Sequence, residues 1–366
     1  MGHTARFRLL SGSFVQRFFA FFPMSTAPIR SALLAYGMSG KLFQAPFLAA
    51  HPGFDLQAVV ERTERRMHLD YPDIQSYSDM EQLLADPTLE LVVVNTPNDT
   101  HFDLARRALL AGKHVLLEKP VSTSVAQLEE LLALAQQTGR HLLAYQNRRW
   151  DSDFGAVARV VQSGQLGQLI EVHLRFDRYK PSLNVKKFKE EPQPGSGLLY
   201  DLGPHLLDQA ICLFGQPLSA HKTVGNYRPS TQVDDFFSIH LRYPAGLNVW
   251  VSSSLLVADP GAAYVLHGTH GSYQKARTDN QEAQLLQGLS PLAPSYGHEK
   301  PGQEGRLTLA AADGTLATSA QLAAPGNYLS LFDAVFQTIR HNTPYPITAN
   351  DLRWQNALLE QAADAG

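Results

Sequence analysis

Lys119 follows Glu118 at the end of the apolar run Lys113-His-Val-Leu-Leu117 and precedes Pro120, while Asp201 and His205 lie four residues apart at the head of a second apolar run, Gly197–Phe214. Lysine moves protons when burial or a neighbouring cation lowers its pKa, and a carboxylate with an imidazole can orient an alcohol and exchange its proton. A strand over Lys113–Leu117 would carry Glu118 and Lys119 to the carboxyl edge of a parallel sheet, where open α/β folds bind ligands. A helix that has begun by Asp201 would put Asp201 and His205 on one face. Each has an ordinary reading too: a solvated Glu-Lys pair before a helix, and an Asp N-cap with an incidental histidine. A metal at Asp201 and His205 lacks support, because no HExxH string or third ligand accompanies them.

About 80 residues before Lys119, a strand over Ser31–Ala35 runs into Tyr36-Gly37-Met38-Ser39-Gly40 and then a helix. Glycines at such a turn admit a pyrophosphate close to the backbone, and a helix N-terminus faces its charge, which makes Gly37, Met38, Ser39 and Gly40 candidate dinucleotide contacts. Ala35 occupies the first glycine position, so the string by itself is weak and a plain strand-to-helix turn would also explain it. Glu61 closes the next strand 21 residues beyond Gly40, placed to accept from a ribose 2′-hydroxyl, whereas Arg62 and Arg65 could pair with a 2′-phosphate. The choice between NAD and NADP stays open, with use of both and no large preference expected. Val92-Val-Val-Asn-Thr96-Pro97-Asn98 brings another strand end to the same edge, with His101 in the following helical turn shaping the nicotinamide pocket. Asn147, Arg149 and Trp150, past the sixth strand, are read with Glu118 as lining the boundary between cofactor and substrate.

Positioning these residues requires an alternation of strand and helix, and the chain has one. From Ile29 short apolar strands alternate with amphipathic helices as far as the strand HLLAYQN, the pattern of a doubly wound parallel sheet. Ser122-Thr123-Ser124 caps the helix over 125–138, and Gly112 and Gly139 close helices. After Trp150 come longer alternating segments, LIEVHLRFDRY, DDFFSIHLRY, GLNVWVSSSLL and AAYVLHGTHGSY, which read as an antiparallel sheet with one exposed face. Residues 276–326 read as a polar excursion off that sheet, and two helices follow. The expected division is 1–27 as a disordered extension or misassigned start, 28–148 as the dinucleotide-binding domain and 149–366 as an α+β substrate and oligomerisation domain.

The 366 residues balance 31 Lys+Arg against 34 Asp+Glu, with no basic stripe for a phosphate backbone, so nucleic acid is excluded as a partner. The single cysteine, Cys212, rules out an intramolecular disulfide and reads as core packing, which fits a cytoplasmic enzyme. RFRLLSGSFVQRFFAFFP faintly resembles a signal peptide, but Gln16 and Arg17 interrupt it, and no stretch of ~20 apolar residues could span a bilayer. Apolar and aromatic residues over Asn248–Leu256 and Tyr264–Tyr273 are expected to leave a sheet face that a second copy covers, giving a homodimer or homotetramer.

The strings AYGMSGKLFQAPFL, VVVNTPNDTH, AGKHVLLEKP, YQNRRWDSDF and GSGLLYDLGPHLLDQA resemble the glucose-fructose oxidoreductase/inositol dehydrogenase/rhizopine catabolism (Gfo/Idh/MocA) family over residues 29–360. QNRRWD and APFL are similar to the branch with NADP-linked scyllo-inositol dehydrogenases, from which Ala35 and Gln44, in place of a usual histidine, depart. The resemblance implies a Rossmann domain binding NAD or NADP, followed by an α+β domain with a mainly antiparallel sheet. It also implies a catalytic set of Lys119, Asp201 and His205 acting on a polyol, inositol or sugar-like alcohol. A non-catalytic NAD(P)-binding sensor and an NAD-using glycosidase occur on the same scaffold; presence of all three catalytic positions argues against the sensor.

Overall fold

The computed structural model describes residues 27–184 and 190–363, so all but Ala27 of the expected N-terminal extension lies outside the described residues. Six strands form the first sheet: β1 (Ile29–Leu33), β2 (Phe54–Val60), β3 (Gln75–Tyr77), β4 (Leu91–Val94), β5 (His114–Glu118) and β6 (Leu142–Tyr145). All are parallel, in the order β3-β2-β1-β4-β5-β6, the doubly wound arrangement whose direction of winding reverses between β1 and β4. Between them run α1 (Ala45–Ala50), α2 (Met80–Ala85), α3 (His101–Leu110) and α4 (Val125–Thr138). The Ser124 side chain caps α4 at its start, and Gly139 ends it in the left-handed conformation. β4 is buried along its whole length because its side chains alternate between two covered faces. Ala32, Val92 and Leu117 pack against α3 and α4, whereas Leu33, Val93 and Leu116 pack on the opposite side against Phe47, Tyr328 and Phe332.

α5 (Ser152–Ser163) leads into the second sheet, built from β7 (Leu169–Arg175), β8 (Ser219–Gly225), β9 (Phe236–Arg242), β10 (Asn248–Ser254), β11 (Tyr264–Gly268), β12 (Gly271–Lys275), β13 (Gly305–Ala310) and β14 (Leu316–Gln321). Their order is β14-β13-β12-β11-β7-β10-β9-β8, and every pairing is antiparallel except β7 with β10. α6 (Gly197–Phe214) lies against the inner face, burying Leu202, Leu206 and Ala210 against Val172, Phe237, Val249 and Tyr264. After the short α7 (Gln281–Leu286), α8 (Leu329–His341) and α9 (Ala349–Glu360) return to the first half, α8 on Phe47 and Phe54 and α9 between α4 and α6.

Three sequence expectations change here. Residues 276–326 hold α7, β13 and β14, so the excursion extends the sheet; its Gly-rich turns and the exposed side of β14 hide the strand period. Val249, Val251, Tyr264, Leu266 and Tyr273 point inward onto the core, leaving Trp250, His240, His173 and short polar residues outward. Cys212 is exposed rather than packed, because α6 turns that position away from the sheet.

Candidate active site

At the reversal between β1 and β4, the turn after β1 is fastened by a residue the sequence did not single out. Ala35 donates its N–H to Asn95 Oδ1 at 3.1 Å, and Asn95 Nδ2 donates back to the Ala35 carbonyl at 2.8 Å. Ala35 is absent from the described positive-φ residues, so this turn makes no demand for glycine there and alanine costs no backbone strain. Gly40 is different. A Cβ at Gly40 would stand 2.3 Å from the Ala35 carbonyl oxygen and 2.8 Å from Asn95 Nδ2, whereas one at Gly37 would meet nothing within 4 Å. The helical run from Gly40 into α1 thus starts pressed on the turn, its Lys41 N–H donating to the Gly37 carbonyl at 2.8 Å, with open space over Gly37 and the positive end of the run beside it. That cradle fits a dinucleotide pyrophosphate, with Gly37, Met38, Ser39 and Gly40 as its backbone.

Behind the turn, Ser39 Oγ and Gln44 Nε2 both donate to Glu118 Oε1, at 2.5 and 3.0 Å. Glu118 therefore joins the glycine turn to the loop bearing Lys119, and Gln44 serves as a neutral donor to it. The Lys119–Pro120 peptide is cis. His101, buried at the start of α3, faces two main-chain carbonyls with its two ring nitrogens, Pro120 at 2.7 Å and Thr96 at 2.9 Å. Burial pushes its pKa down while the carbonyls oppose that shift. Its place is a clamp between the end of β4 and the lysine loop. Thr96 Oγ1 lies 2.7 Å from Thr100 Oγ1, and Asn98 Nδ2, following Pro97, donates to the Gly195 carbonyl at 2.8 Å, so this edge also holds the approach to α6.

The two halves meet at the lysine. Lys119 Nζ donates to the Asp201 carbonyl oxygen at 2.6 Å and lies 3.3 Å from Asp201 Oδ1. Asp201 sits in the second turn of α6, its side chain 47% exposed, and His205 follows one turn later on the same face, buried. No described hydrogen bond reaches His205 Nδ1. Burial, then Lys119, Arg148, Arg277 and Arg178, hold its pKa well below that of a free imidazole, leaving the ring neutral at pH 7. Ser196, rather than Asp201, is the N-cap residue of α6.

Other expected contacts have different placements. Glu61 accepts the Met67 N–H at 3.0 Å and the Ser76 hydroxyl at 2.9 Å, while Arg62 and Arg65 are exposed. Asn147 is buried; Trp150 packs between both cores of the first half, its carbonyl accepting from Asn327 and Gln281. Arg149 forks onto Asp208 at 2.8 Å through two nitrogens and reaches Asp351, tying α6 to α9 rather than lining the cleft. Arg178, near Asp201, lies in the segment LIEVHLRFDRY that reads as strand, but β7 ends at Arg175 and nothing in the alternation singles that arginine out. Among the described residues no group of three or more His, Cys, Asp or Glu could hold a metal, and no helix is long and apolar enough to cross a membrane.

Residues 29–146 match the family model described as an oxidoreductase family with an NAD-binding Rossmann fold, and residues 154–274 match the GFO/IDH/MocA C-terminal domain. The uncharacterized oxidoreductase YdgJ of Escherichia coli K12 is 38% identical over 88% of this chain and 92% of its own. The NADP-dependent scyllo-inositol 2-dehydrogenase IolW of Bacillus subtilis 168 is 30% identical over 88% and 89%. A crystal structure of an oxidoreductase from Bacillus cereus superposes with a TM-score of 0.84 at 29% identity, covering 91% of this chain and 95% of that one.

Proposed function

This chain belongs to the Gfo/Idh/MocA oxidoreductase family, and on that premise we propose that it interconverts a secondary alcohol and its ketone on a polyol, inositol or sugar-like substrate, using NAD or NADP. The observation that carries the proposal is the convergence of Lys119, at the carboxyl edge of the parallel sheet, with Asp201 and His205 on one face of α6. Nicotinamide, when bound, supplies hydride exchange at its C4. The residues of the chain supply the rest. Lys119 Nζ, held by the Asp201 carbonyl, gives a proton to the substrate oxygen in reduction and takes it in oxidation. The Asp201 carboxylate steadies that ammonium and accepts from a neighbouring substrate hydroxyl. His205 is better suited to orienting than to carrying the proton: surrounded by cations and buried, its ring stays a neutral hydrogen-bonding group.

Cofactor preference is read from the end of β2. Both oxygens of Glu61 are engaged within the chain, whereas Arg62 and Arg65 are exposed, which supports acceptance of a 2′-phosphate and hence NADP at least as readily as NAD. The test is a panel of inositols, aldoses and keto-polyols with each cofactor, followed at the NAD(P)H absorbance band. Net absorbance change with a polyol or its ketone is the expected result. A sensor or a redox-neutral glycosidase would give none, and that outcome would remove the dehydrogenase reading.

A further inference from the structure

Phe176, directly after β7, has three guanidinium groups around its ring, with Arg277 at 4.0 Å from the centroid, Arg178 at 4.8 Å and Arg148 at 5.0 Å. With Lys119 these are the four cations that surround His205. Arg148 pairs with Asp151 at 3.3 Å and Glu282 at 3.0 Å, and Arg277 shares Asp151 at 3.9 Å. For Arg178 the carboxylate within reach is Asp201, at 4.0 Å, which Lys119 already engages. Among the described residues, these four cations therefore share three carboxylates within 4 Å, with Asp177 as a further one near Arg277. The Arg178 guanidinium makes no hydrogen bond among the described residues and its side chain is 30% exposed; behind it, Arg148 Nε and Arg277 Nε and Nη1 are buried without a hydrogen-bond partner among the described residues.

Clustered like charges away from water are unfavourable unless something opposite in sign joins them. Burial, reinforced by Arg148 and Arg277, already makes the charged form of Arg178 harder to keep than that of an ordinary arginine. An oxidised nicotinamide would add a further positive charge. A guanidinium with its fork unoccupied is matched by a carboxylate or phosphate, which accepts two parallel N–H donors. Lys119 and Arg178 flank the same Asp201 carboxylate, on Oδ1 and Oδ2, so one small molecule can present a hydroxyl to the first and an anion to the second.

We propose that the substrate carries an oxyanion, a carboxylate or a phosphate ester, seated on Arg178, and is a sugar acid or sugar phosphate rather than a neutral polyol. This rests on the oxidoreductase reading given above and narrows it.

The test compares matched pairs with the cofactor-loaded enzyme: glucose against glucuronate and gluconate for the carboxylate arm, and glucose and myo-inositol against their monophosphates for the phosphate arm. In one arm, kcat/KM for the anionic member should exceed that of its neutral counterpart by ~10²-fold, and Arg178→Gln should reduce that ratio at least ~10-fold, mainly through KM, with Arg178→Lys between them. Neutral members turned over as well as every anionic one would overturn the oxyanion proposal and leave the dehydrogenase standing. If no compound gives turnover, the dehydrogenase reading is what fails, and binding still decides the oxyanion. Malonate and inorganic phosphate are then titrated by calorimetry into wild type and Arg178→Gln, whose unliganded melting temperatures are first compared. Binding that weakens ~10-fold or more in the variant supports the site. No binding of either, or equal binding by both proteins, overturns it.

Discussion

Lys119 Nζ donates to the main-chain carbonyl of Asp201 at 2.6 Å, so the side chain that would carry the proton is held in place by the backbone of a helix from the other half of the chain. A backbone acceptor survives mutation of the Asp201 side chain, which separates positioning of the lysine from any work done by the carboxylate. Lys119→Ala should lower kcat by ~10²–10⁴-fold, the scale for losing a positioned acid–base group, while leaving cofactor affinity within a factor of about ten. Asp201→Asn, which keeps the carbonyl, should cost less. Steady-state rates with fluorescence titration of NADPH check both; a Lys119→Ala enzyme with near-normal kcat would reject the assignment.

Because His205 is buried among cations that keep it neutral, its ionisation should leave no trace in the activity profile at ordinary pH. The kcat/KM profile is expected to lack a limb near pH 6.5, and His205→Asn should lower kcat/KM by ~10–10²-fold without changing the profile's shape. A limb near 6.5 that vanishes in His205→Asn would show that His205 does carry the proton.

At the end of β2, removal of both exposed guanidiniums by Arg62→Ser with Arg65→Ser should shift the NADP-to-NAD ratio of kcat/KM toward NAD by ~10–10²-fold, or about 1.4–2.7 kcal/mol. Glu61→Gln should destabilise the chain more than it alters cofactor choice, since its carboxylate holds Met67 and Ser76. An unchanged ratio in the double variant would place the 2′-phosphate elsewhere.

The parallel sheet was legible because β4 and the middle of β5 are buried on both faces and so read as apolar runs. The edge strands β3 and β14, with an exposed or short register, left no such trace. Lys119 was legible because it stands directly after the end of β5, and Asp201 and His205 because their spacing of four puts them on one face of α6. Asn95 and Arg178 were not. The work of Asn95 is to bond a turn 60 residues away, and the position of Arg178 follows from stacking on Phe176 beside a helix of a different segment. Neither relationship has a local spacing to read.

Stability should fall as the solution is acidified. His114 lies buried against His141, its Nδ1 accepting the His141 N–H, and burial followed by His141 and Arg140 lowers its pKa to about 3. Its unfolded value is about 6.5, so the unfolded chain binds a proton that the folded chain refuses; the contribution is complete above about pH 6.5 and is lost as pH falls toward 3. His51, His101, His141 and His205 are shifted in the same direction. Asp279, raised to about 6 by burial and Asp153, works oppositely, its contribution being lost as pH rises from about 4 through 6. Asp151, Asp177, Asp208 and Asp234, also raised by burial, act with it, whereas the lowered carboxyls of Asp70, Asp86, Glu90 and Glu129 side with the histidines. Urea unfolding from pH 7 to 4.5 should show net loss, and His114→Asn should reduce its slope by up to about 1.4 kcal/mol per pH unit. An unaltered slope would mean that the His114 site protonates without unfolding.

Among the described residues no helix covers the outward face of the second sheet, and four rings, His173, Trp250, His240 and His221, form a ladder across it. Trp250 stacks on His240 with centroids 4.5 Å apart and on His173 at 5.1 Å, with interplanar angles of 9° and 12°. Around this ladder the outward positions mix short polar Ser238, Ser252 and Ser272 with the charged Glu171 and Arg175 and the apolar Val265 and Phe236, and Trp250 is the largest apolar side chain among them. Residues 276–326 do not fold back over it, since β13 and β14 lengthen the sheet instead. A flat face of this kind can pack on a copy of itself about a two-fold axis, each tryptophan becoming part of a self-complementary patch. Light scattering at micromolar concentration should therefore give at least twice the 40.4 kDa chain mass, and Trp250→Glu, which places a charge at the centre of the contact, should give the monomer with its helix content retained. A wild-type mass near 40.4 kDa would reject the dimer, and an oligomer that persists in Trp250→Glu would locate the contact on another surface.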